Sequence, residues 1–348
     1  MVSRTRQLLS RVCALLVLTM LSFACGSTPP TTPASAKSAL APGPHGVDQV
    51  LVVSIDGLNP LALDKLGRKG TPVLHRLRRQ GASTLNARTS YEMTVTLPNH
   101  TGMVTSRRIN AADGGHGVTW NDDRPTPATV QAAAGGPVGS VFSDVIAAEL
   151  TTALFASKTK FSLWQRSWPA GLKNTTIELD NRALADDVAL DLIRTDRDFT
   201  FVHLSGPDVA GHARGWMSRP YLRAVRAADT NLGIILEALK EADEVDDTLV
   251  IVTADHGGVG RLHGQADRLA NYRIPFLVRG PDVPRGADLY EISPANRDPG
   301  TRRPSYGPTR QPVRNTMVAN LALQALGLPA IKGSQLNVKQ DLNVFEAP

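Results

Sequence analysis

Six short apolar runs punctuate the chain and dictate the kind of sheet it can build. QVLVVSIDG (49–57) ends in Asp56-Gly57, and TTALFAS (151–157), TTIELD (175–180), FTFVHLSG (199–206), TLVIVTAD (248–255) and RIPFLVRG (273–280) follow. Apolar toward both faces, such runs predict strands of a central sheet covered by helices. Helical patterns fall between them. TPVLHRLRRQG (71–81) opens on Thr-Pro and stops at Gly81, and ALADDVALDLIRT (183–195) precedes the run at 199. From Pro220 to about Ala242, Leu222, Val225, Leu232, Leu236 and Leu239 form one stripe, and RNTMVANLALQALG (314–327) closes on Gly327. This alternation predicts an α/β fold with a mainly parallel sheet, whose working residues gather at the strands' C-terminal ends. Residues 282–312, rich in Pro and Arg, predict a long surface excursion, and the glycine-rich stretch 107–140 shows no clear period.

Composition narrows what such a sheet can serve. With 348 residues, 42% of them hydrophobic, the chain can bury one large core. The formal net charge is +6, and Arg4, Arg6 and Arg11 supply three of those charges before any acid appears. Without that end the balance is +3, too small for a nucleic-acid footprint. No stretch mixes aromatic and basic residues in the RNA-binding manner.

The same arginines precede the apolar run CALLVLTMLSFA (13–24) and then Cys25-Gly26-Ser27. A positive end, a short apolar stretch and a small residue at the cut predict a signal peptide over 1–24. The run falls short of the roughly 20 residues that span a bilayer. Two cleavages fit. Ser22 and Ala24 suit an ordinary signal peptidase, whereas Ala24-Cys25-Gly26 resembles a bacterial lipoprotein box with Ser22 in the usual place of Leu. We take the second, because a lone cysteine directly after the apolar run has little other use. Cys13 leaves with the signal, so Cys25 remains alone and no internal disulfide forms. Residues 25–46 then form an anchor and a Pro/Ser/Thr/Ala spacer, and 47–348 a single folded domain. The expected location is extracytoplasmic, secreted or lipid-anchored through Cys25, with no other membrane contact.

Chemistry concentrates where the runs end. Asp56 closes the first, Asp208 follows the fourth in GPDVAGH four residues before His212, Asp255 and His256 close the fifth, and His263 follows in LHGQ. Carboxylates from three strand ends, with three histidines nearby, make a donor set that suits zinc or a similar divalent ion. Adjacent strand residues point to opposite faces, so Asp255 and His256 can share an ion only where strand gives way to loop. Gly257-Gly258 permit that turn. Taken singly, a strand-end Asp is more often a helix cap, and His45, His75 and His203 read as solvent or core histidines. The metal reading rests on six candidates occurring together. Thr96, in TVTLPNH (94–100), is a weak nucleophile unless its proton is removed, and by itself it reads as an N-cap.

Taken in order, DG, TLPNH, HGVTWN, PDVAGH, TADHGG and LHG resemble the alkaline phosphatase superfamily. Within it they are most similar to the type I phosphodiesterase and nucleotide pyrophosphatase family, from about Gln49 to Leu336. The closing VRNTMVANLALQALGLPAIKGSQLN resembles that family's last helix and loop. The resemblance implies an alkaline-phosphatase-like three-layer α/β/α sandwich, and a single catalytic domain without the extra domains of many animal relatives. It implies two zinc ions, one held by Asp56, Asp255 and His256 with Thr96 as oxygen ligand, the other by Asp208, His212 and His263. Manganese or iron could stand in, because ligand type sets only a preference. Coordination would remove the Thr96 proton without a neighbouring base, and Thr96 would attack phosphorus in line to give a phosphothreonine that water hydrolyses. Pro98 and Asn99 would fix the entry to a helix whose N-terminus faces the phosphate. Asn121 matches the family's amide donor to a phosphoryl oxygen, with RINAADGG (108–115) lengthening its spacing from Thr96. His116-Gly117 match a structural His-Gly, and His100 is assigned to packing behind the site.

Hydrolysis of phosphate diesters is the activity so implied, on a small phosphate ester or a nucleotide. A phosphomonoesterase of alkaline phosphatase type is the alternative. SKTKF (157–161) sets Lys158 and Lys160 where some monoester-cleaving relatives carry basic residues on the phosphate, although two solvated lysines at a helix start would read the same. A sulfatase needs Cys or Ser in C/S-x-P-x-R, and TLPNH offers neither. A binding lipoprotein on a degenerate fold would have lost ligands, and all six are present together with Thr96.

Overall fold

The structure, a computed structural model, describes residues 43–346. The signal segment, Cys25 and the spacer as far as residue 42 lie outside them. No described helix is long and apolar enough to cross a membrane.

All six apolar runs are strands. They form β1 (Gln49–Ile55), β3 (Thr152–Ala156), β4 (Thr175–Ile177), β5 (Phe199–Leu204), β6 (Thr248–Thr253) and β7 (Arg273–Arg279). An additional strand, β2 (Ala82–Arg88), completes a seven-stranded sheet in the order β2-β7-β6-β1-β5-β3-β4. β1 pairs in parallel with β5 and β6, in registers that set Val50 opposite Phe199 and Leu249. β3 runs parallel to both β4 and β5. β7 is antiparallel to both neighbours, so the sheet is mainly but not wholly parallel. Every residue of β1, β5 and β6 is buried, as runs without polar alternation require.

Helices cover the sheet on both faces in a three-layer α/β/α sandwich. One group comprises Pro72–Gln80, Asn181–Arg194 and Arg219–Glu241, the last burying Val225, Leu232 and Leu239 along its predicted stripe. Another gathers Thr96–Thr105, Val141–Ala147 and Val318–Ala325. The Thr96–Thr105 helix is buried along its whole length, although its sequence has little amphipathic character.

The glycine-rich segment resolves into short pieces, including a 3-10 turn at Ala111–Asp113 and a helix at Val130–Ala134. RINAADGG leaves and returns at one place, because His116 N–H donates to Arg108 O and Gly117 N–H to Ile109 O, both at 2.9 Å. The added residues therefore bulge outward, and the chain re-enters as if they were absent. Gly117 sits at φ +74°, where a Cβ would lie 2.2 Å from the Ala133 carbonyl oxygen, so the His-Gly pair marks a close backbone crossing.

The Pro/Arg-rich excursion returns along the margin of the sheet. Isolated bridges pair Ser83 with Asp288 and Arg88 with Arg314.

Candidate active site

Three strand ends deliver the carboxylates. Asp56 follows β1 directly, Asp255 lies two residues past β6, and β5 runs through Ser205 into the helix Gly206–Arg214, which carries Asp208 and His212. The sequence places these last two just after a strand end, four residues apart, without assigning their element. They lie one helical turn apart on one face, with His212 Nε2 3.4 Å from Asp208 Oδ1. Gly57 lets β1 meet this helix, since a Cβ there would lie 3.0 Å from Asp208 Cα, and its φ is +70°. Gly57 O also accepts from Trp216 Nε1 and Tyr221 Oη, each at 2.9 Å, which fixes the loop behind Asp56.

Asp255 and His256 do lie in loop, as holding one ion together would require. Gly257 and Gly258 serve it by a different route from the one expected. Neither has a positive φ; a Cβ on Gly257 would sit 2.1 Å from Ala270 O, and one on Gly258 2.1 Å from the Trp216 indole. Their contribution is space.

Each carboxylate has one occupied oxygen and one that is buried without a hydrogen-bond partner. Asp56 Oδ2 accepts from His203 Nε2 at 3.0 Å and Lys158 Nζ at 2.6 Å. Asp208 Oδ2 accepts from the same ammonium at 2.7 Å. Asp255 Oδ1 accepts the backbone N–H groups of Gly57 and His256 at 3.0 and 2.9 Å. The partnerless atoms are Asp56 Oδ1, Asp208 Oδ1 and Asp255 Oδ2. They converge on His256 Nε2, at 3.4, 3.9 and 3.1 Å respectively. Burying such oxygens without compensation is costly, and a cation among them removes the cost.

The histidines are set up to match. His256 Nδ1 is 2.8 Å from Gly257 O, His212 Nδ1 3.0 Å from Arg261 O, and His263 Nδ1 2.5 Å from Thr94 O. A carbonyl can only accept, so each Nδ1 carries hydrogen and each Nε2 offers a lone pair to the cluster, the tautomer of a metal ligand oriented from behind. Thr94 Oγ1 in turn donates to His263 O, clasping this loop to the segment before Thr96. The His256 and His263 rings stack at 3.6 Å with 9° between planes. Burial and the adjacent His263 push His256 down to about 3, and burial lowers His263 as well, so both are neutral near pH 7. These donors fall into two groups able to hold an ion, Asp56/Asp255/His256 and Asp208/His212/His263, the partition that the resemblance implied.

Charge within the cluster is partly offset by Lys158. Burial opposes ionisation of Asp56, but the Lys158 ammonium and the His203 hydrogen bond hold it well below the usual carboxylate range. Asp255, buried and facing the charges of Asp56 and Asp208, is pushed well above that range. Burial also opposes the Lys158 charge, and the two carboxylates more than compensate, raising its pKa.

Thr96 is buried at the first position of its helix, with Oγ1 3.4 Å from His256 Nε2. Val95 occupies the N-cap, and no side chain caps the helix, so the N-cap reading of Thr96 is corrected and its hydroxyl is left to face the cluster. Asn99 fixes the entry by donating to Met93 O and Val95 O while accepting from Ser90 N–H. His100 Nδ1 donates to Thr96 O at 2.9 Å, and its Nε2 accepts from Ser54 Oγ at 2.8 Å, tying the first turn to β1.

Asn121 reaches the site despite the longer spacing. Its Oδ1 accepts from Leu97 N–H at 3.0 Å and from Lys160 Nζ at 2.9 Å. Two donors on the oxygen fix the amide orientation and leave its NH2 group available. Lys158 and Lys160 are therefore not solvated lysines, as one reading had them. Sequence reasoning also took His203 for a solvent or core residue; it is a core residue that orients Asp56. Its signal lay in register, because His203 stands opposite Ser54 on β1, two residues before Asp56.

The profile of the type I phosphodiesterase / nucleotide pyrophosphatase family matches residues 50–272. Venom phosphodiesterase 2 of Crotalus adamanteus is 30% identical over 124 residues, which cover 34% of this chain and 15% of the venom protein. GPI ethanolamine phosphate transferase 1 of Chaetomium globosum is 31% identical over 121 residues, covering 34% of this chain and 13% of the fungal protein. The match thus spans a small part of these curated relatives. Murine ectonucleotide pyrophosphatase / phosphodiesterase 5 shares the fold, with a TM-score of 0.63 at 15% identity over 86% of this chain and 100% of that one. The family profile covers more than half the chain and takes in every site residue named above, from Asp56 to His263. The chain belongs to the type I phosphodiesterase / nucleotide pyrophosphatase family.

Proposed function

We propose that this protein is a metal-dependent hydrolase of phosphate diesters, acting outside the cytoplasm on a small phosphate ester or nucleotide. The observation that carries the reading is the convergence of three partnerless buried carboxylate oxygens and three Nε2 lone pairs beside the Thr96 hydroxyl. Asp56, Asp255, His256 and Thr96 would hold one divalent ion, and Asp208, His212 and His263 a second. Bound zinc supplies Lewis-acid charge that acidifies a hydroxyl and offsets negative charge on phosphoryl oxygens. Thr96 Oγ attacks phosphorus, the bond to the leaving oxygen breaks, and the leaving group departs in line as its alcohol after taking a proton. Water then attacks the phosphothreonine, returning the Thr96 hydroxyl and releasing a phosphate monoester. Asn121 donates to a phosphoryl oxygen through the NH2 group that Leu97 and Lys160 leave free. Support for the threonine comes from the murine relative, described as inactive when a threonine is replaced by alanine and solved in complex with AMP. Venom and ecto-enzyme relatives support the location, together with the signal peptide and Cys25 anchor read from the N-terminus.

A second reading, phosphomonoesterase, is favoured by the burial of Lys158 and Lys160 within the site, where both could meet the extra charge of a monoester. Turnover of bis(p-nitrophenyl) phosphate and p-nitrophenyl phosphate by the full chain, with metal content measured on the same sample, separates the two. Diester preference with two metals per chain is expected. Monoester preference moves the assignment to the second reading, and no turnover of either ester by metal-loaded protein overturns both.

A further inference from the structure

The excursion after β7 encloses a cleft of about 500 Å³ whose lining includes Arg297, Arg302, Arg303 and Arg310. Among the described residues none of these four forms an ion pair, whereas Arg108, Arg124, Arg182 and Arg197 all face carboxylates elsewhere. The one acid in the lining is Asp298. Its Oδ1 is occupied by Asn86 Nδ2 at 2.6 Å and Gly300 N–H at 2.8 Å. The cleft therefore carries a clear excess of positive charge.

The walls are held rather than loose. Two further arginines, both almost fully buried, suspend the excursion by its backbone. Arg88 donates to Arg302 O at 3.1 Å and Gly300 O at 2.6 Å, and Arg314 to Pro304 O at 2.6 Å and Thr89 O at 2.8 Å. Prolines 299, 304, 308 and 312 make up much of the remaining lining, each with a fixed φ. Arg303 stacks over the Tyr91 ring at 4.1 Å, and its Nε is buried with no hydrogen-bond partner. Tyr91 N–H in turn donates to Tyr306 Oη at 3.0 Å, which joins the cleft to the segment leading to Thr96. Backbone carbonyls preset the guanidinium groups, Arg302 donating through Nε to Pro299 O, Arg303 through one Nη to Tyr91 O and Arg310 through one Nη to Asn296 O. The N–H groups left over, with those of Arg297, suit an anion with several charged oxygens in a ligand-sized hollow.

We infer that this cleft is an oligophosphate-binding site, separate from the metal-ligand cluster and independent of it. Its test uses the full chain in excess chelator, so that bound metal plays no part, titrated with inorganic tripolyphosphate by calorimetry. The expected result is one tripolyphosphate per chain, with affinity at least about tenfold weaker in Arg302→Gln/Arg310→Gln and changed less than about twofold in Arg68→Gln/Lys69→Gln, a control removing two exposed charges elsewhere. All four substituted side chains are exposed, and thermal unfolding verifies that each variant is folded. Turnover of bis(p-nitrophenyl) phosphate by the metal-loaded cleft variant should equal that of the unaltered chain. No binding by the unaltered chain, or equal weakening in both double variants, overturns the inference without touching the diesterase reading.

Discussion

The Nε2 atoms of His212 and His263 stand 3.0 Å apart, while each ring has committed its other nitrogen to a backbone carbonyl. In neutral rings two lone pairs then face one another at hydrogen-bond distance. The partnerless Asp208 Oδ1 lies 3.4 and 3.7 Å from them. Such an arrangement calls for a positive charge among the three atoms.

Metal uptake should follow that geometry. Chelated protein titrated with zinc is expected to take two equivalents, and His263→Ala to keep one tight equivalent. At a free zinc concentration about a hundredfold above Kd, unfolding should become roughly 3 kcal/mol less favourable for each ion held. Two tight equivalents in His263→Ala would remove that ring from the ligand set.

Thr96→Ala should separate binding from chemistry. Its Oγ1 faces the cluster, but three stronger donors remain for the neighbouring ion, so metal content should stay close to that of the unaltered chain. Diester turnover should fall on the order of a thousandfold or more. Near-normal turnover by metal-loaded Thr96→Ala would exclude a phosphothreonine.

Lys160 Nζ holds the Asn121 amide by its oxygen, so under the diesterase reading its removal should cost less than removal of the amide itself. We expect Lys160→Met to lower kcat/KM about tenfold and Asn121→Ala roughly a hundredfold or more. The double variant should match Asn121→Ala alone, because Lys160 would have nothing left to orient. Additive losses would make Lys160 a direct substrate contact.

Acid should destabilise the fold through His116. Burial pushes this ring down to about 3 in the native protein, against about 6.5 when unfolded. Above the unfolded value neither state holds the proton. Below it the unfolded state takes a proton that the native state refuses, so stability falls by about 1.4 kcal/mol per pH unit until the native value is reached. Urea unfolding at about pH 7.5 and about pH 5 should show the unaltered chain losing roughly 2 kcal/mol more than His116→Gln. Equal losses would place the ring in a protonatable setting.

The strands that carry the ligands were legible because burial on both faces leaves an uninterrupted apolar run, as in β1, β5 and β6. β2 was not. Its sequence ASTLNAR is small and polar, without the uninterrupted apolar run of the inner strands, and its outer edge meets the excursion. The reversal of β7 also left no mark in RIPFLVRG. It follows from the link between Thr253 and Arg273, which has only the four-residue helix Leu269–Tyr272 and is already committed to presenting His256 and His263. A parallel return is usually made by a crossover helix packed on the sheet, and this link supplies no helix longer than that single turn. Ligand types were legible because their motifs are local, and Asp208 and His212 betray their helix by their spacing. The partners behind them were hidden, because the contacts of Lys158 with Asp56 and of His203 with the same carboxylate depend on which strands lie side by side.

The bridges Ser83–Asp288 and Arg88–Arg314 have a consequence beyond the site. A marginal strand usually offers a row of unpaired amides and carbonyls to any extended segment that drifts past, which is how sheets of neighbouring molecules fuse. At Ser83 and at Arg88, near the two ends of that row, the chain has laid its own return path across it. Where copies of this protein crowd together, that margin is therefore poorly suited to templating an intermolecular sheet.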